Sequence, residues 1–233
     1  KELTIGYKPE EHLMLLFESL CNSSNFEPSK IKDISNRYIV TSKSSHTTEK
    51  TRIIADGQQL VRVDRDSRNL ANQSINQILM KVAKNIKEVD GIIISDYNKG
   101  VCTEVVVREI ITKARKLKIP TYVDPKGKNW DKYYGASVIT PNLNEAEEAI
   151  GRSLVNDEEV EEAGMELCKK LSLSACLITR GPNGMSYINK DLKLHVVSEA
   201  KEIYDVSGAG DTVIASFASG IVAGFDPEIA TRF

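Results

Sequence analysis

The 233-residue chain carries 31 Lys and Arg residues against 33 Asp and Glu residues, for a formal net charge of -2, with 41% hydrophobic residues. This is an ordinary globular composition for one or two domains, and the absence of a basic block disfavours a dedicated nucleic-acid-binding protein. The sequence has no apolar run of the roughly 18 residues that a membrane helix needs and no signal-peptide layout at its start, so we expect a cytoplasmic protein without a membrane partner.

The first third of the chain predicts a helix, a strand, a β hairpin and a second helix. Residues 9–20 place Pro and two acids before apolar residues at helical spacing, and residues 37–43 are strand-like. Residues 49–66 contain two alternating, β-branched runs on either side of an Asp-Gly pair, which predicts a hairpin. Residues 72–88 return to helical periodicity.

From residue 89 onward, strands and helices alternate. Residues 89–97 include a near-continuous apolar run, which is typical of a strand covered on both faces. The later predicted elements are a helix at 101–118, strands at 120–125 and 136–142, helices at 143–151 and 157–171, strands at 175–181 and 185–190, and a helix at about 209–223. This alternation predicts an α/β fold with a mainly parallel sheet.

The segment DVSGAGDT, residues 205–212, carries the strongest local signal for chemistry. Gly208, Ala209 and Gly210 allow the backbone to approach an anion closely, and the helix that begins there offers free N–H groups and the positive end of its dipole. The carboxylate of Asp211 is suited to accept a proton from an attacking hydroxyl in phosphoryl transfer. The alternative is a plain glycine-rich loop with an acidic residue in the first helical turn.

Polar clusters also follow the other predicted strands. They are Ser95-Asp96-Tyr97, Asp124-Pro125-Lys126-Gly127, Asn142 with Glu145, and Thr179-Arg180-Gly181. Ligands of open α/β sheets bind beyond the carboxyl ends of strands, so these clusters predict one shared site. Asn142 and Glu145 suit a phosphate or a hydrated Mg²⁺, which needs only one or two protein oxygens. Their alternative role is a helix N-cap and its capping-box partner.

Several familiar sites are absent from the sequence. It has no GxxxxGK[ST] motif and no GxGxxG after a strand, which excludes a P-loop enzyme and disfavours a dinucleotide-binding Rossmann unit. The four cysteines and three histidines show no metal-ligand, disulfide or triad spacing. Trp130, Tyr133 and Tyr134 are predicted to pack the loop of residues 126–135, with a contact to adenine or sugar as the alternative.

The motifs VDPKG, TPNLNEAE, LITRGPNGM and DVSGAGD, in this order and spacing, resemble those of the PfkB (ribokinase-like) carbohydrate kinases. The longer segments around them, together with ISDYNKGV, are similar to the heptose 7-phosphate kinase domains within that family. The resemblance covers roughly residues 47–224. It implies a ribokinase-like mainly parallel sheet with helices on both faces, plus a small β lid at about residues 47–66.

Residues that match the family's motifs take their roles from this resemblance. Asp211 matches the catalytic base that removes the proton of the acceptor hydroxyl, and residues 208–210 match the anion hole for the transferring phosphoryl group. Asn142 and Glu145 match the N-x-x-E motif associated with Mg²⁺ and the ATP phosphates, with Glu145 holding the ion through water. Asp205 matches a position near the monovalent-cation site of several relatives.

Six further residues are candidates for binding the nucleotide or the substrate. The three that match a segment beside the nucleotide are Thr179, Arg180 and Gly181. The three chosen from their strand-end positions, near the sugar phosphate or the ATP phosphates, are Asp96, Lys99 and Lys126. A basic group among these last three would pair with a 7-phosphate through charge-assisted hydrogen bonds.

The implied reaction is ATP-dependent phosphorylation of D-glycero-D-manno-heptose 7-phosphate at the anomeric hydroxyl, giving the 1,7-bisphosphate used to make ADP-heptose for lipopolysaccharide core. The implied cofactors are ATP and Mg²⁺, with K⁺ as a candidate, and the implied assembly is a homodimer through the lid sheet. The family's N-terminal sugar-binding segment, C-terminal helices and adenylyltransferase domain have no match, so we expect residues 1–233 to be a partial kinase domain. The alternatives are another PfkB-family sugar or nucleoside kinase and a non-catalytic nucleotide-binding scaffold.

Overall fold

The computed structural model describes part of the chain, namely residues 40, 49–55, 58–65, 71–198 and 208–232. The predicted helix of residues 9–20, all but one residue of the predicted strand of residues 37–43, and Asp205 lie outside these ranges. Within the described ranges, none of the helices is both long enough and apolar enough to cross a lipid bilayer.

The predicted β hairpin is present. Strand β1 (Glu49–Ala55) pairs antiparallel with strand β2 (Gln58–Arg65), and the register shifts between Ile53 and Ile54. Four large apolar side chains of the hairpin are exposed: Ile53, Leu60, Val61 and Val63. The hairpin therefore presents apolar surface that these described residues leave uncovered.

A six-stranded sheet forms the centre of the described chain. Its strands, in both spatial and chain order, are β3 (Ile92–Ser95), β4 (Thr121–Asp124), β5 (Val138–Ile139), β6 (Ala175–Thr179), β7 (Met185–Ile188) and β8 (Lys193–Val196). Strands β3 to β6 run parallel, whereas β7 pairs antiparallel with β6 and β8 pairs antiparallel with β7. The carboxyl ends of the four parallel strands therefore share one edge, as the sequence predicts.

Six α-helices accompany the strands in the described ranges. They are α1 (Asn72–Asn85), α2 (Glu104–Lys116), α3 (Leu143–Ile150), α4 (Asp157–Leu171), α5 (Ala209–Val222) and α6 (Pro227–Arg232). The local sequence explains where they begin. The Thr103 side chain accepts a hydrogen bond from the backbone of Val106 at the start of α2, and the Asn156 side chain does the same for Glu159 at the start of α4.

Helices cover both faces of the sheet. Along β6, Cys176 and Ile178 enter one core cluster, whereas Ala175 and Leu177 enter the other, because successive side chains of a strand point to opposite faces. The first cluster includes residues of α1, α2 and α4, and the second includes residues of α5 and α6. The predicted α/β fold with helices on both faces is thus confirmed.

The connection between β4 and β5 departs from a regular strand–helix–strand unit. Only a 3-10 turn, Asp131–Tyr133, lies between the two strands, and β5 is limited to two residues, where the sequence predicts a strand over 136–142. Trp130 and Tyr133 are buried, and the Trp130 indole N–H donates to the carbonyl of Gly127 at 2.8 Å. These contacts confirm that the two aromatic residues pack this loop, while Tyr134 is exposed.

Candidate active site

The start of α5 is open and suited to an anion. Gly208 has a φ of 81°, in the left-handed region, and its carbonyl accepts the Thr212 N–H at 2.9 Å. A Cβ added at Gly208 or Gly210 would meet no atom of the described residues within 4 Å. The N–H groups of a first helical turn have no acceptor within the helix and carry the positive end of its dipole. Space and polarity at residues 208–210 therefore fit a phosphate group.

Asp211 lies in this first turn and contacts the end of β3. The Tyr97 hydroxyl donates to Asp211 Oδ2 at 2.6 Å, and the Ser95 hydroxyl donates to Asp211 Oδ1 at 3.4 Å. The sequence placed these residues at the same sheet edge but did not predict this contact. The alternation of side chains along β3 could have indicated the contact. Ile93 packs against the core cluster that contains residues of α5, and Ser95, two residues later, lies on the same face of the sheet.

Asp124 belongs to one of the strand-end polar clusters of the sequence analysis, which assigned it no individual role. It ends β4 and is half-buried. Burial, followed by repulsion from Asp211 and then from Glu145, raises the pKa of the Asp124 carboxyl to about 7, and Lys126 acts in the opposite direction. Three carboxyl groups therefore influence one another at this edge, which favours the approach of a cation.

Glu145 and Asn142 form a capping box, which was the alternative role predicted for them. The Asn142 side chain accepts the Glu145 N–H at 2.9 Å, and Glu145 Oε2 accepts the Asn142 N–H at 3.0 Å. The other oxygen, Oε1, accepts from Lys126 Nζ at 2.5 Å, and this hydrogen bond is the first cause of the raised pKa of the Lys126 ammonium. An ionised carboxylate has about four acceptor positions, so capping leaves Glu145 able to bind further donors or a hydrated ion.

Asp96 is buried inside the loops rather than open to a ligand. It is 2% exposed, and its Oδ2 accepts from Lys132 Nζ at 2.5 Å and from the Tyr133 hydroxyl at 2.7 Å. Its Oδ1 accepts the Asn98 N–H at 2.6 Å. These contacts favour a structural role for Asp96, joining the loop after β3 to the loop after β4, over the predicted place beside a phosphate. Lys99 lies in the first of these loops and is half-buried.

The side chain of Arg180 is held by neighbouring protein groups. Its Nη2 lies 2.6 Å from Asp157 Oδ1 at the start of α4, and its Nη1 is 3.1 Å from the Ser186 hydroxyl and 3.3 Å from His195 Nδ1. The guanidinium is therefore tied to α4, β7 and β8. Thr179 ends β6, and Gly181 begins the following turn. The groups of these two residues that are available for a nucleotide are therefore chiefly those of the backbone.

The described residues contain no group of three or more His, Cys, Asp or Glu side chains arranged to hold a metal ion. Such a group is not required for Mg²⁺, which keeps several of its waters. In the described ranges the cysteines are free, and burial raises the pKa of the Cys102 thiol to about 12.

Comparison with known sequences matches residues 30–233 to the family described as "pfkB family carbohydrate kinase". The protein named "Bifunctional protein HldE" of Acidiphilium cryptum is 41% identical over 187 residues, 80% of this chain and 38% of that protein. The protein of the same name from Geobacter sulfurreducens is 40% identical over 188 residues, again 80% of this chain and 38% of that protein. The chain thus spans about two fifths of the length of these relatives.

Solved structures of low identity share the fold. The tetrameric inhibited form of phosphofructokinase-2 from Escherichia coli has a TM-score of 0.69 at 19% identity, covering 83% of this chain and 64% of that one. Arabidopsis thaliana ribokinase complexed with ribose and ATP has a TM-score of 0.67 at 17% identity, covering 85% of this chain and 64% of that one. Identity this low supports the architecture alone.

Proposed function

Because the chain belongs to the pfkB family of carbohydrate kinases, we propose that it is part of the kinase domain of a heptose 7-phosphate kinase. The reaction is ATP-dependent phosphorylation of D-glycero-D-manno-heptose 7-phosphate at the anomeric hydroxyl. The product is the 1,7-bisphosphate, an ADP-heptose precursor for lipopolysaccharide core. The names of relatives about 40% identical support this choice of substrate. The observation that carries the chemistry is Asp211, held by two hydroxyls at the open start of α5.

Asp211 is the proposed base. Its carboxylate accepts the proton of the anomeric hydroxyl while the sugar oxygen forms a bond to the γ-phosphorus, and the bond from that phosphorus to the bridging oxygen of ADP breaks. The N–H groups at the start of α5 stabilise the negative charge on the transferring group. Holding the two reactants in line and in contact supplies much of the remaining rate enhancement.

Asp124 and Glu145 would hold Mg²⁺, Glu145 through water. The residues fit such an ion because burial and carboxylate repulsion raise the pKa of Asp124 to about 7, which an added cation would counteract. When bound, Mg²⁺ supplies charge neutralisation on the ATP phosphates. Lys126 and Lys99 are proposed to bind phosphate oxygens, and the backbone of residues 179–181 is proposed to lie beside the nucleotide. A K⁺ site near Asp205 stays a prediction outside the described residues.

A homodimer through the β1–β2 hairpin is also proposed, with the hairpin acting as a lid. The exposed apolar side chains of the hairpin, with Leu60 at 65% exposed, support contact with a second copy. Leu60→Lys should lower the sedimentation coefficient of the full-length protein to that of a monomer. Val155→Lys, which changes an exposed valine outside the hairpin, is the control and should leave it unchanged. An unaltered Leu60→Lys oligomer would contradict this assembly.

The experiment that tests the function is ATP-to-ADP turnover by the full-length protein with a panel of acceptors and Mg²⁺. The panel contains D-glycero-D-manno-heptose 7-phosphate, ribose, fructose 1-phosphate, fructose 6-phosphate and adenosine. Turnover with the heptose phosphate alone supports the proposal and a cytoplasmic role, where ATP is available. Turnover with another acceptor overturns the substrate but keeps the kinase. ATP binding without turnover would support a non-catalytic scaffold.

A further inference from the structure

Tyr97 and Asp211 are 114 residues apart in the chain and make a short side-chain contact, 2.6 Å from the phenol oxygen to Oδ2. Ser95 reaches the other carboxylate oxygen, at 3.4 Å. Both hydroxyls come from the end of β3, and the carboxylate comes from α5. Each oxygen of an ionised carboxylate has two acceptor positions, so each hydroxyl leaves one position for a substrate proton.

Asp211 forms no ion pair within the part of the chain that the structure describes. The neighbouring charge that matters is that of Asp124, since these two carboxylates repel each other. A neutral hydroxyl donor holds a carboxylate oxygen in place without neutralising its charge, as a paired Lys or Arg would.

The phenol itself is well placed to act as a lasting donor. Burial, followed by the hydrogen bond to Asp211, raises the pKa of the Tyr97 phenol, so it keeps its proton across the working pH range. The residue before it, Asp96, is fixed by Lys132 and Tyr133, and the Asp96 N–H donates to the Asp124 carbonyl at 3.0 Å. The backbone that carries Tyr97 is therefore anchored on a buried network.

We propose that Tyr97 is a positioning residue for Asp211, assisted by Ser95: the two hydroxyls orient the carboxylate so that it can take the acceptor proton. This inference rests on the proposed kinase function. Tyr97 differs from the base in that it acts through Asp211 and transfers no proton to or from the substrate.

The test uses Tyr97→Phe in the full-length protein with the acceptor that the unaltered protein uses. We expect kcat to fall about 10- to 100-fold, since small displacements of a catalytic group are costly, and the KM for ATP to change less than about two-fold. The acidic limb of the pH–rate profile should move toward higher pH, because the carboxylate has lost a hydrogen-bond donor. Tyr122→Phe removes a buried hydroxyl that has no hydrogen-bond partner among the described residues, and this control should match the unaltered protein.

A double variant separates positioning from a general structural effect. In an Asp211→Asn background, adding Tyr97→Phe should change the residual kcat by less than about three-fold, because residues that act as a unit are not additive. A full additional loss in that background would overturn the inference. So would an unchanged kcat and pH profile in a folded Tyr97→Phe protein.

Two further measurements keep the inference testable if Tyr97→Phe does not fold. Ser95→Ala should shift the same acidic limb in the same direction by a smaller amount. The NMR chemical shifts of the Tyr97 ring should change when Asp211 is replaced by Asn, and unmoved resonances would overturn the contact. Absence of turnover by the unaltered protein with every acceptor is a separate result, which refutes the proposed function.

Discussion

The buried pair Asp96–Lys132 gives a prediction whose size follows from the structure. Asp96 is 2% exposed and Lys132 is 7% exposed, and their charged atoms are 2.5 Å apart. Lys132→Met leaves a buried carboxylate without its cation, a change that costs about 3–5 kcal/mol in comparable sites. Asp96 keeps its hydrogen bonds from Tyr133 and Asn98, so we expect the lower value, about 3 kcal/mol.

Hydrogen exchange of the full-length protein in dilute urea measures the loss of local stability in the β3–β4 region of the Lys132→Met variant. A loss of about 3 kcal/mol raises the open population of the β3–β4 region roughly 150-fold, seen in peptides that span residues 92–124. Lys190→Met is the matched control, because Lys190 is exposed and its nearest carboxylate oxygen, on Asp191, lies 3.7 Å away, so no measurable change is expected. Exchange in Lys132→Met that rises less than about three-fold would refute the reasoning.

Three other predictions concern the carboxylates at the sheet edge. Asp211→Asn should retain ATP affinity while lowering kcat by about 10²- to 10⁴-fold, and surviving activity would exclude Asp211 as the base. Glu145→Gln should raise the Mg²⁺ concentration needed for half-maximal turnover, whereas an unchanged titration would limit Glu145 to capping. The pKa of Asp124 is raised to about 7, above an ordinary value of about 3.9. Ionisation of Asp124 therefore lowers the stability of the folded protein as the pH rises from about 4 to 7. Without Mg²⁺, the melting temperature of Asp124→Asn should therefore exceed that of the unaltered protein at pH 7.5 and equal it near pH 4.

The architecture was predictable because it depends on local patterns. The alternation of apolar strands with amphipathic helices identified the parallel sheet, and Gly208 and Asp211 marked the start of α5 from sequence alone. The capping box of Asn142 and Glu145 was likewise visible as a spacing of three residues. Such features involve neighbours in the chain, so they require no knowledge of the fold.

The contacts that define the site's electrostatics were not predictable in this way. The burial of Lys132 against Asp96 joins residues 36 apart, and a lysine in a polar loop normally indicates an exposed side chain. The influence of Asp211 on Asp124 depends on the approach of α5 to β4. The sequence also gave no sign that Arg180 turns toward Asp157 and His195, because those partners come from α4 and β8.

The placement of α5 also bears on how the chain is synthesised. One face of the sheet, with Tyr122 and Leu177, is covered in the described chain by α5 and α6, through residues such as Phe217. Translation at about 5–20 residues per second delivers α5 seconds after the last strand that it covers. During that interval, the nascent chain exposes a contiguous apolar surface on the ribosome. The proposed base Asp211 therefore joins the site only when α5 closes over this face of the sheet.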